Sequence, residues 1–327
     1  MIKKIITLGP ASLNSSTIKK LQKGTYIFRI NLSHVSLKKV PSLIKKIQKS
    51  TKVPVCIDTE GAQIRNKLMK NEKVLFKKNS LISIHKNLKK GDKKNISFHP
   101  PNAFDIFKVG DTLKIDFDSA EIKIIKKINN LKLLAKVISG GVIGSNKGVD
   151  INRDIKLDPI TQKDFKAIQI AKKMKVKHFS FSFASCESDV KKMRNIIGNN
   201  SILISKIENK KGVKNLEEIL KFSDSIIIDR GDLSRQVPIY KIPITQREII
   251  KRARKKNKDT FVATNLLENM IEKINPTRAE VNDVISTLEM GAKGLVLAAE
   301  TAIGKHPVET VGMINNLIKA FKKIQKN

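Results

Sequence analysis

The chain has 327 residues, 40% of them apolar, and a formal net charge of +35. That length can bury one large core or two modest ones, and no apolar run approaches a membrane span. The basic balance raises a nucleic-acid hypothesis, but the excess is almost all lysine spread from end to end, and aromatics, the stacking platforms of single-strand binders, make up only 5%. A solvated cationic surface that attracts anionic metabolites is the simpler account, so neither a specific nucleic acid nor a membrane is expected as a partner. The opening "MIKKIITLGPAS" is too short for a signal peptide, which points to the cytoplasm. The two cysteines, Cys56 and Cys186, form no CxxC pair and make neither a disulfide framework nor a zinc site.

Short β-like runs alternate with helical segments from the start: "IKKIITLG", then "STIKKLQKG"; "YIFRINL", then "LKKVPSLIKKIQKS"; then "VPVCIDT". After Thr59 the rhythm changes. Residues 62–151 hold no long amphipathic pattern, only "KVLFKK", "LISIHK", "DTLKIDF", "AEIKII" and "LKLLAKVI" between Gly, Asp and Asn turns, which reads as a small all-β insert. Alternation then resumes with "HFSFSF", "SILISKI", "SIIIDRG", "TFVATN" and "GLVLAA". One late helix carries a capping box from Thr277 to Glu280 and stops at Gly291. Eight strands outside the insert, alternating with helices, predict an α/β fold: a (β/α)₈ TIM barrel over residues 1–61 and 152–327, with the all-β domain of residues 62–151 inserted after strand three. A doubly wound open sheet is the alternative.

Polar residues collect at the carboxyl ends of these strands. They are Arg29, Asn31 and Ser33 on strand two; Asp58 and Thr59 on strand three; Lys206 and Glu208 on strand five; Arg230 and Asp232 on strand six; Thr264 and Asn265 on strand seven; Glu300 and Thr301 on strand eight. Barrel enzymes build their sites there. Lys206 and Glu208 sit two apart, so strand alternation sends both charges to one face, toward the barrel mouth. Glu208 and Asp232, on neighbouring strands, could hold a Mg²⁺. A lysine fixed beside such an ion suits phosphoryl transfer, where catalysis is largely positioning and charge neutralisation. The plainer alternative is a structural ion pair. Asn31, Ser33, Asp58 and Thr59 offer hard oxygens for a monovalent cation, or are simply hydrogen-bonded strand ends. The loop "GGVIGSNKGVD", with Lys147, reads as a hairpin turn at the end of the insert, where a lid would hinge. None of His34, His85, His99, His178 and His306 has metal-ligand spacing with another, and His34 lies beside the candidate site.

Taken in order, "TLGPAS", "FRINLSH", "IDTEGAQIR", "SKIENKKGVKNLEEIL", "RGDL", "NPTRAEVNDV" and "AETAIG" resemble pyruvate kinase from Met1 to about residue 325. The resemblance implies transfer of a phosphoryl group from phosphoenolpyruvate to ADP, in glycolysis, with Mg²⁺ and K⁺ as cofactors. It implies that Lys206 neutralises the transferring group, that Glu208 and Asp232 bind Mg²⁺, and that Asn31, Ser33, Asp58 and Thr59 bind K⁺. Arg29 is expected to contact phosphate. His34, Arg65 and Lys147 are expected to serve the nucleotide, Lys147 from the lid, and the N–H groups of Gly231 and Asp232 to hold the substrate carboxylate. Thr264 is expected in the proton relay that makes pyruvate from its enol. A homo-oligomer through the barrel domain is compatible with the resemblance.

The sequence also departs from the family. The usual C-terminal regulatory domain, with its sugar-phosphate site, is expected to be absent. "DTKGPEIR" has become "DTEGAQIR", and Gln63 replaces an acidic residue associated with K⁺ dependence. "SGETA" has become "AAETA", which removes a hydroxyl from the relay at Ala299; "ATQML" has become "ATNLL" and "SFVR" has become "SFAS". The sharpest change is "ARGDLG" to "DRGDLS": Asp229 stands where the family's alanine borders the substrate. An unpaired carboxylate there would lower affinity for an anionic substrate, with Arg230 or a nearby lysine as its expected partner. The alternatives to a catalytic pyruvate kinase are a related enzyme for another enol phosphate or acid, and a catalytically weak nucleotide-binding regulator.

Overall fold

The computed structural model describes residues 2–117 and 119–324. The chain divides into two compact units, Met1–Gly61 with Pro159–Asn327, and Ala62–Asp158.

The larger unit is a closed parallel barrel. Its eight strands, in chain order, are Lys3–Thr7, Ile27–Asn31, Val55–Asp58, His178–Phe181, Ile202–Ile207, Ser225–Asp229, Asp259–Ala263 and Gly294–Leu297, and the last pairs with the first. Alternation with period two sorts their side chains. One set turns outward under the helices and forms the main core, with Ile6, Phe28, Ile57, Phe179, Leu203, Ile228 and Val262. The other set turns inward. Its lower layer is apolar: Ile5, Ile27, Cys56, Ile204, Ile227, Phe261 and Val296. Two residues further along, five of these strands place Thr7, Arg29, Asp58, Lys206 and Asp229 inward, whereas strand seven keeps the apolar Ala263. The barrel floor is therefore hydrophobic and its carboxyl end polar. Cys56 belongs to that floor, and burial raises its thiol pKa above the ordinary range. Among the described residues no helix is long and apolar enough to cross a membrane.

The expected capping box is present. Thr277 accepts the N–H of Glu280 and Glu280 accepts that of Thr277, at the start of helix Arg278–Glu289. Gly291 follows with φ +97°, a conformation costly for any residue with a Cβ.

A second box, unforeseen from the sequence, closes the place where the chain leaves the barrel and returns. The buried Asp164 carboxylate accepts the N–H groups of Glu60 (2.8 Å), Gly61 (3.1 Å) and Thr161 (3.2 Å). Burial pushes the Asp164 pKa up from 3.8 to about 6, aided by the Glu60 carboxylate and opposed by the N–H donors. The folded state thus binds a proton that the unfolded chain releases at lower pH. The stability this group contributes is full below about 3.8 and is lost as pH rises through about 6. Urea unfolding between pH 4 and 7 checks this. Asp164→Asn should flatten the segment from about pH 4 to about 6, and at pH 7 should cost about 1–3 kcal/mol, because the amide nitrogen cannot accept an N–H.

The smaller unit is a closed sheet of seven strands, Ile64–Asn66, Leu81–His85, Asn95–His99, Thr112–Ile115, Ala120–Asn129, Lys132–Ser139 and Gly148–Ile151, beside a two-stranded sheet of Lys73–Phe76 and Gly141–Gly144. Alternation again builds the core, with Ile82, Ile84, Leu113, Ile115, Ile122 and Ile124 inside. Three expectations need correction. The unit is not purely β, since Ala103–Ile106 is one helical turn. Residues 152–158 belong to it: Arg153 bonds both Asp111 oxygens and the Ile106 carbonyl, and Ile155 and Leu157 pack on its core. "GGVIGSNKGVD" is not a hairpin, because Gly141–Gly144 pairs with Lys73–Phe76 whereas Gly148–Ile151 pairs with Ile64–Asn66 and Thr112–Ile115.

The turn between those strands is shaped by one buried amide. Asn66 Nδ2 donates to the Gly144 carbonyl (2.8 Å), Asn66 Oδ1 accepts the Lys147 N–H (2.6 Å), and the Asn66 N–H donates to the Lys147 carbonyl (2.9 Å). Asn66→Ala should leave two backbone groups without partners, at about 1–3 kcal/mol each. Limited trypsin digestion should then cut at Lys147 well before the wild-type protein is cut there.

Candidate active site

Strand five is the centre of the polar layer. Alternation places Lys206 and Glu208 inward and Ile207 outward, and both charged side chains are buried. Lys206 is 4% exposed, and its ammonium lies 2.7 Å from Glu208 Oε1, 3.5 Å from Asp229 Oδ2, 3.6 Å from Asp58 Oδ2 and 3.4 Å from the Ser182 hydroxyl. Burial alone would lower its pKa. The carboxylates of Asp58, Glu208 and Asp229 outweigh burial and hold it above the ordinary lysine range. For Glu208 burial prevails: it raises the pKa, Asp232 and Asp229 add to the rise, and Lys206 opposes them. Its second oxygen accepts the Phe183 N–H at 2.6 Å.

On strand two, Arg29 links its two neighbouring strands, donating from Nε to Thr7 Oγ1 (2.8 Å) and from a terminal nitrogen to Asp58 Oδ2 (3.2 Å). Asp58 is 0% exposed and its Oδ1 has no hydrogen-bond partner. Strand pairing sets Asn31 directly beside it. Asn31 Oδ1 accepts the Ser33 N–H (2.9 Å), and Thr59 Oγ1 accepts the Ser182 N–H (2.9 Å). Each of these oxygens keeps a second lone pair. With the orphaned Asp58 oxygen they fit an oxygen-bound monovalent cation.

Strand six ends at Asp229. Arg230 and Asp232 lie not on that strand but on the helical turn Arg230–Leu233 that follows it. Asp229 does not find Arg230. Its Oδ1 accepts the Thr264 O–H at 2.6 Å and its Oδ2 faces Lys206, while Arg230 turns away to Asp283 and donates twice to the Thr264 carbonyl. Burial works against the charge of Asp229, but Lys206, the Thr264 hydroxyl and Arg29 outweigh it and keep its pKa below the usual carboxylate value. Thr264 has φ +75°, uncommon for a β-branched residue, and it is gripped at both its carbonyl and its hydroxyl. Gly231 lies against it: a Cβ there would come within 2.8 Å of Thr264 Cγ2. The ligand oxygens of Glu208, Asp229 and Asp232 lie within 4.8 Å of one another, a donor set suited to a divalent cation.

Arg29, Asp58, Lys206, Glu208, Asp229, Asp232 and Thr264 are thus joined by direct contacts or by this cluster. Others play a different part. Thr301 donates to the Thr7 carbonyl, and Glu300 accepts the N–H groups of Ala298 and Leu267, so both tie loops together. His34 ends a 3₁₀ turn at the surface of the barrel unit. In the smaller unit Arg65 pairs in register with Gly148 and donates to the Asn146 carbonyl (3.1 Å), next to Lys147, whose ammonium is 3.1 Å from Asp116. Ser182 was missed from the sequence although it touches both Lys206 and Thr59. The inward run His178, Ser180, Ser182 in "HFSFSF" was the available signal.

A barrel mouth carrying a buried lysine, a buried arginine and four carboxylates defines a (β/α)₈-barrel protein whose site is built from the carboxyl ends of its strands. A model of the pyruvate kinase barrel domain matches residues 1–311. The pyruvate kinase of Thermotoga maritima is 34% identical over 98% of this chain and 70% of its own length. That of Thermococcus litoralis is 31% identical over 99% and 70%, and the pyruvate kinase PKLR of Rattus norvegicus 34% over 94% and 58%. The chain belongs to the pyruvate kinase family and spans about 70% of the length of the first two of these relatives.

Proposed function

We propose that the chain transfers the phosphoryl group of phosphoenolpyruvate to ADP, giving pyruvate and ATP as a step of glycolysis. The observation that carries this reading is the Lys206 ammonium, buried and shared by Asp58, Glu208 and Asp229 at the barrel mouth. It is a fixed point charge that costs no reorganisation when charge develops on a moving phosphoryl group. Arg29 adds a second buried cation for the phosphate. Glu208 and Asp232 would hold Mg²⁺, which would supply positive charge to neutralise the phosphate. Asn31, Ser33, Asp58 and Thr59 would hold K⁺. The N–H groups of Gly231 and Asp232, at the start of a helical turn, would receive the substrate carboxylate. Thr264, with its hydroxyl already fixed in direction, would pass the proton that converts the enol to pyruvate. His34, Arg65 and Lys147 would serve the nucleotide. The test is a coupled assay of pyruvate formation by the purified protein with phosphoenolpyruvate, ADP and Mg²⁺, with and without K⁺. Failure to form pyruvate above the enzyme-free rate sinks the reading.

One observation favours a second reading, a related enzyme for another enol phosphate. The Asp229 carboxylate stands 3.5 Å from where a Cβ on Gly231 would be, close to the backbone assigned to the substrate carboxylate. Faster turnover of an enol phosphate without a carboxylate than of phosphoenolpyruvate would establish it.

A further inference from the structure

We propose that Asp229 is a third carboxylate ligand of the divalent cation, an addition this chain makes to the Glu208 and Asp232 pair. The inference rests on the proposed metal site and deepens it. Three features of the structure support it. The first is reach: one oxygen from each of Glu208, Asp229 and Asp232 lies within 4.8 Å of the others. Octahedral Mg²⁺ holds its oxygens at about 2.1 Å, which sets neighbouring ligands about 3 Å apart, so a modest inward shift of these side chains would bring all three to one ion, with water completing its shell.

The second feature is pre-organisation. Asp229 Oδ1 is fixed by the Thr264 hydroxyl at 2.6 Å, and Thr264 is itself held through its carbonyl by Arg230. That leaves Oδ2 facing the cluster, with the Lys206 ammonium 3.5 Å away. Glu208 Oε1, on a side chain 1% exposed, also faces the Lys206 ammonium, at 2.7 Å. Two carboxylate oxygens thus lean on one ammonium that Asp58 also shares.

The third feature is charge. Asp58, Glu208, Asp229 and Asp232 bring four carboxylates to the mouth, against Lys206, Arg29 and Arg235, the last 3.9 Å from Asp232. Arg230, next in sequence to Asp229, is committed to Asp283 at 2.6 Å. The carboxylates outnumber these cations by one, and an alanine at position 229 would remove the excess.

Mn²⁺ binding to the substrate-free protein tests this, with affinity from calorimetry and the number of waters on bound Mn²⁺ from water-proton relaxation. Asp229→Ala should weaken Mn²⁺ by tenfold or more and add one exchangeable water to the bound ion. Asp229→Asn keeps an oxygen but loses the charge, so it should weaken binding without adding the water, and it guards against a folding defect in the alanine variant. An unchanged water count in a folded Asp229→Ala protein overturns the proposal, because a purely electrostatic neighbour alters affinity and not hydration. Glu208→Gln separates the two ideas. If it weakens Mn²⁺ binding while Asp229→Ala does not, the third ligand fails and the metal site stands; if wild type binds no Mn²⁺, both fail.

Discussion

Lys206→Met should lower turnover of phosphoenolpyruvate and ADP by at least two decades. Removing one preorganised charge from a phosphoryl-transfer site costs about 3 kcal/mol or more of transition-state stabilisation. The distances make Lys206 hard to replace, since one ammonium faces Asp58, Glu208 and Asp229 together from inside the barrel. Lys206→Arg should also lose most activity, because a planar guanidinium cannot reproduce a compact charge shared three ways. The methionine variant should melt earlier than wild type, as three buried carboxylates lose their common cation, and Mn²⁺ should narrow that gap. Steady-state assays and thermal melts with and without Mn²⁺ read both effects. A folded methionine variant turning over within threefold of wild type would refute the assignment.

Arg29→Met should cost about 3–5 kcal/mol of stability, the penalty for breaking a buried ion pair and leaving one charge behind. The stranded group is Asp58, 0% exposed, whose Oδ1 already lacks a partner and whose next cation, Lys206, is 3.6 Å away and shared. Thr7 Oγ1 loses its donor as well. The cause is the orphaned carboxylate and not lost packing, so adding Asp58→Asn to Arg29→Met should recover most of the loss. Urea denaturation of wild type, both single variants and the double variant measures the coupling. Additive losses in the double variant would show that Arg29 and Asp58 do not act as a pair.

The barrel was readable because its signal is simple. Eight short apolar runs alternate with helices, and strand periodicity sends Lys206 and Glu208 inward whatever surrounds them. The smaller unit was less readable. Ile64–Asn66, Asn95–His99, Gly141–Gly144 and Gly148–Ile151 are only three to five residues long, too short for a period to stand out from the surrounding turns. The partners of Asp229 were beyond the sequence for a different reason. Arg230 is adjacent in the chain, but it is drawn off by Asp283, 53 residues later, while Lys206 and Thr264 arrive from neighbouring strands. Asp164 was hidden likewise, because its N–H donors at Glu60 and Gly61 lie on the far side of the insert.

That Asp164 knot bears on how the barrel closes during folding. Barrel strands three and four must pair, with the Thr59 N–H meeting the Ser180 carbonyl, although the Glu60–Asp164 bond alone spans 104 residues of chain. Closing so long a flexible loop costs roughly 3 kcal/mol more entropy than closing a four-residue turn. The smaller unit has its own buried core and its own closed sheet. If it orders first, the long loop is already drawn in, and the barrel meets a closure problem nearer to that of an ordinary strand-to-strand connection. The insert is then an aid to barrel assembly as well as a bearer of Arg65 and Lys147, and Asp164 is the clasp that keeps its two ends together.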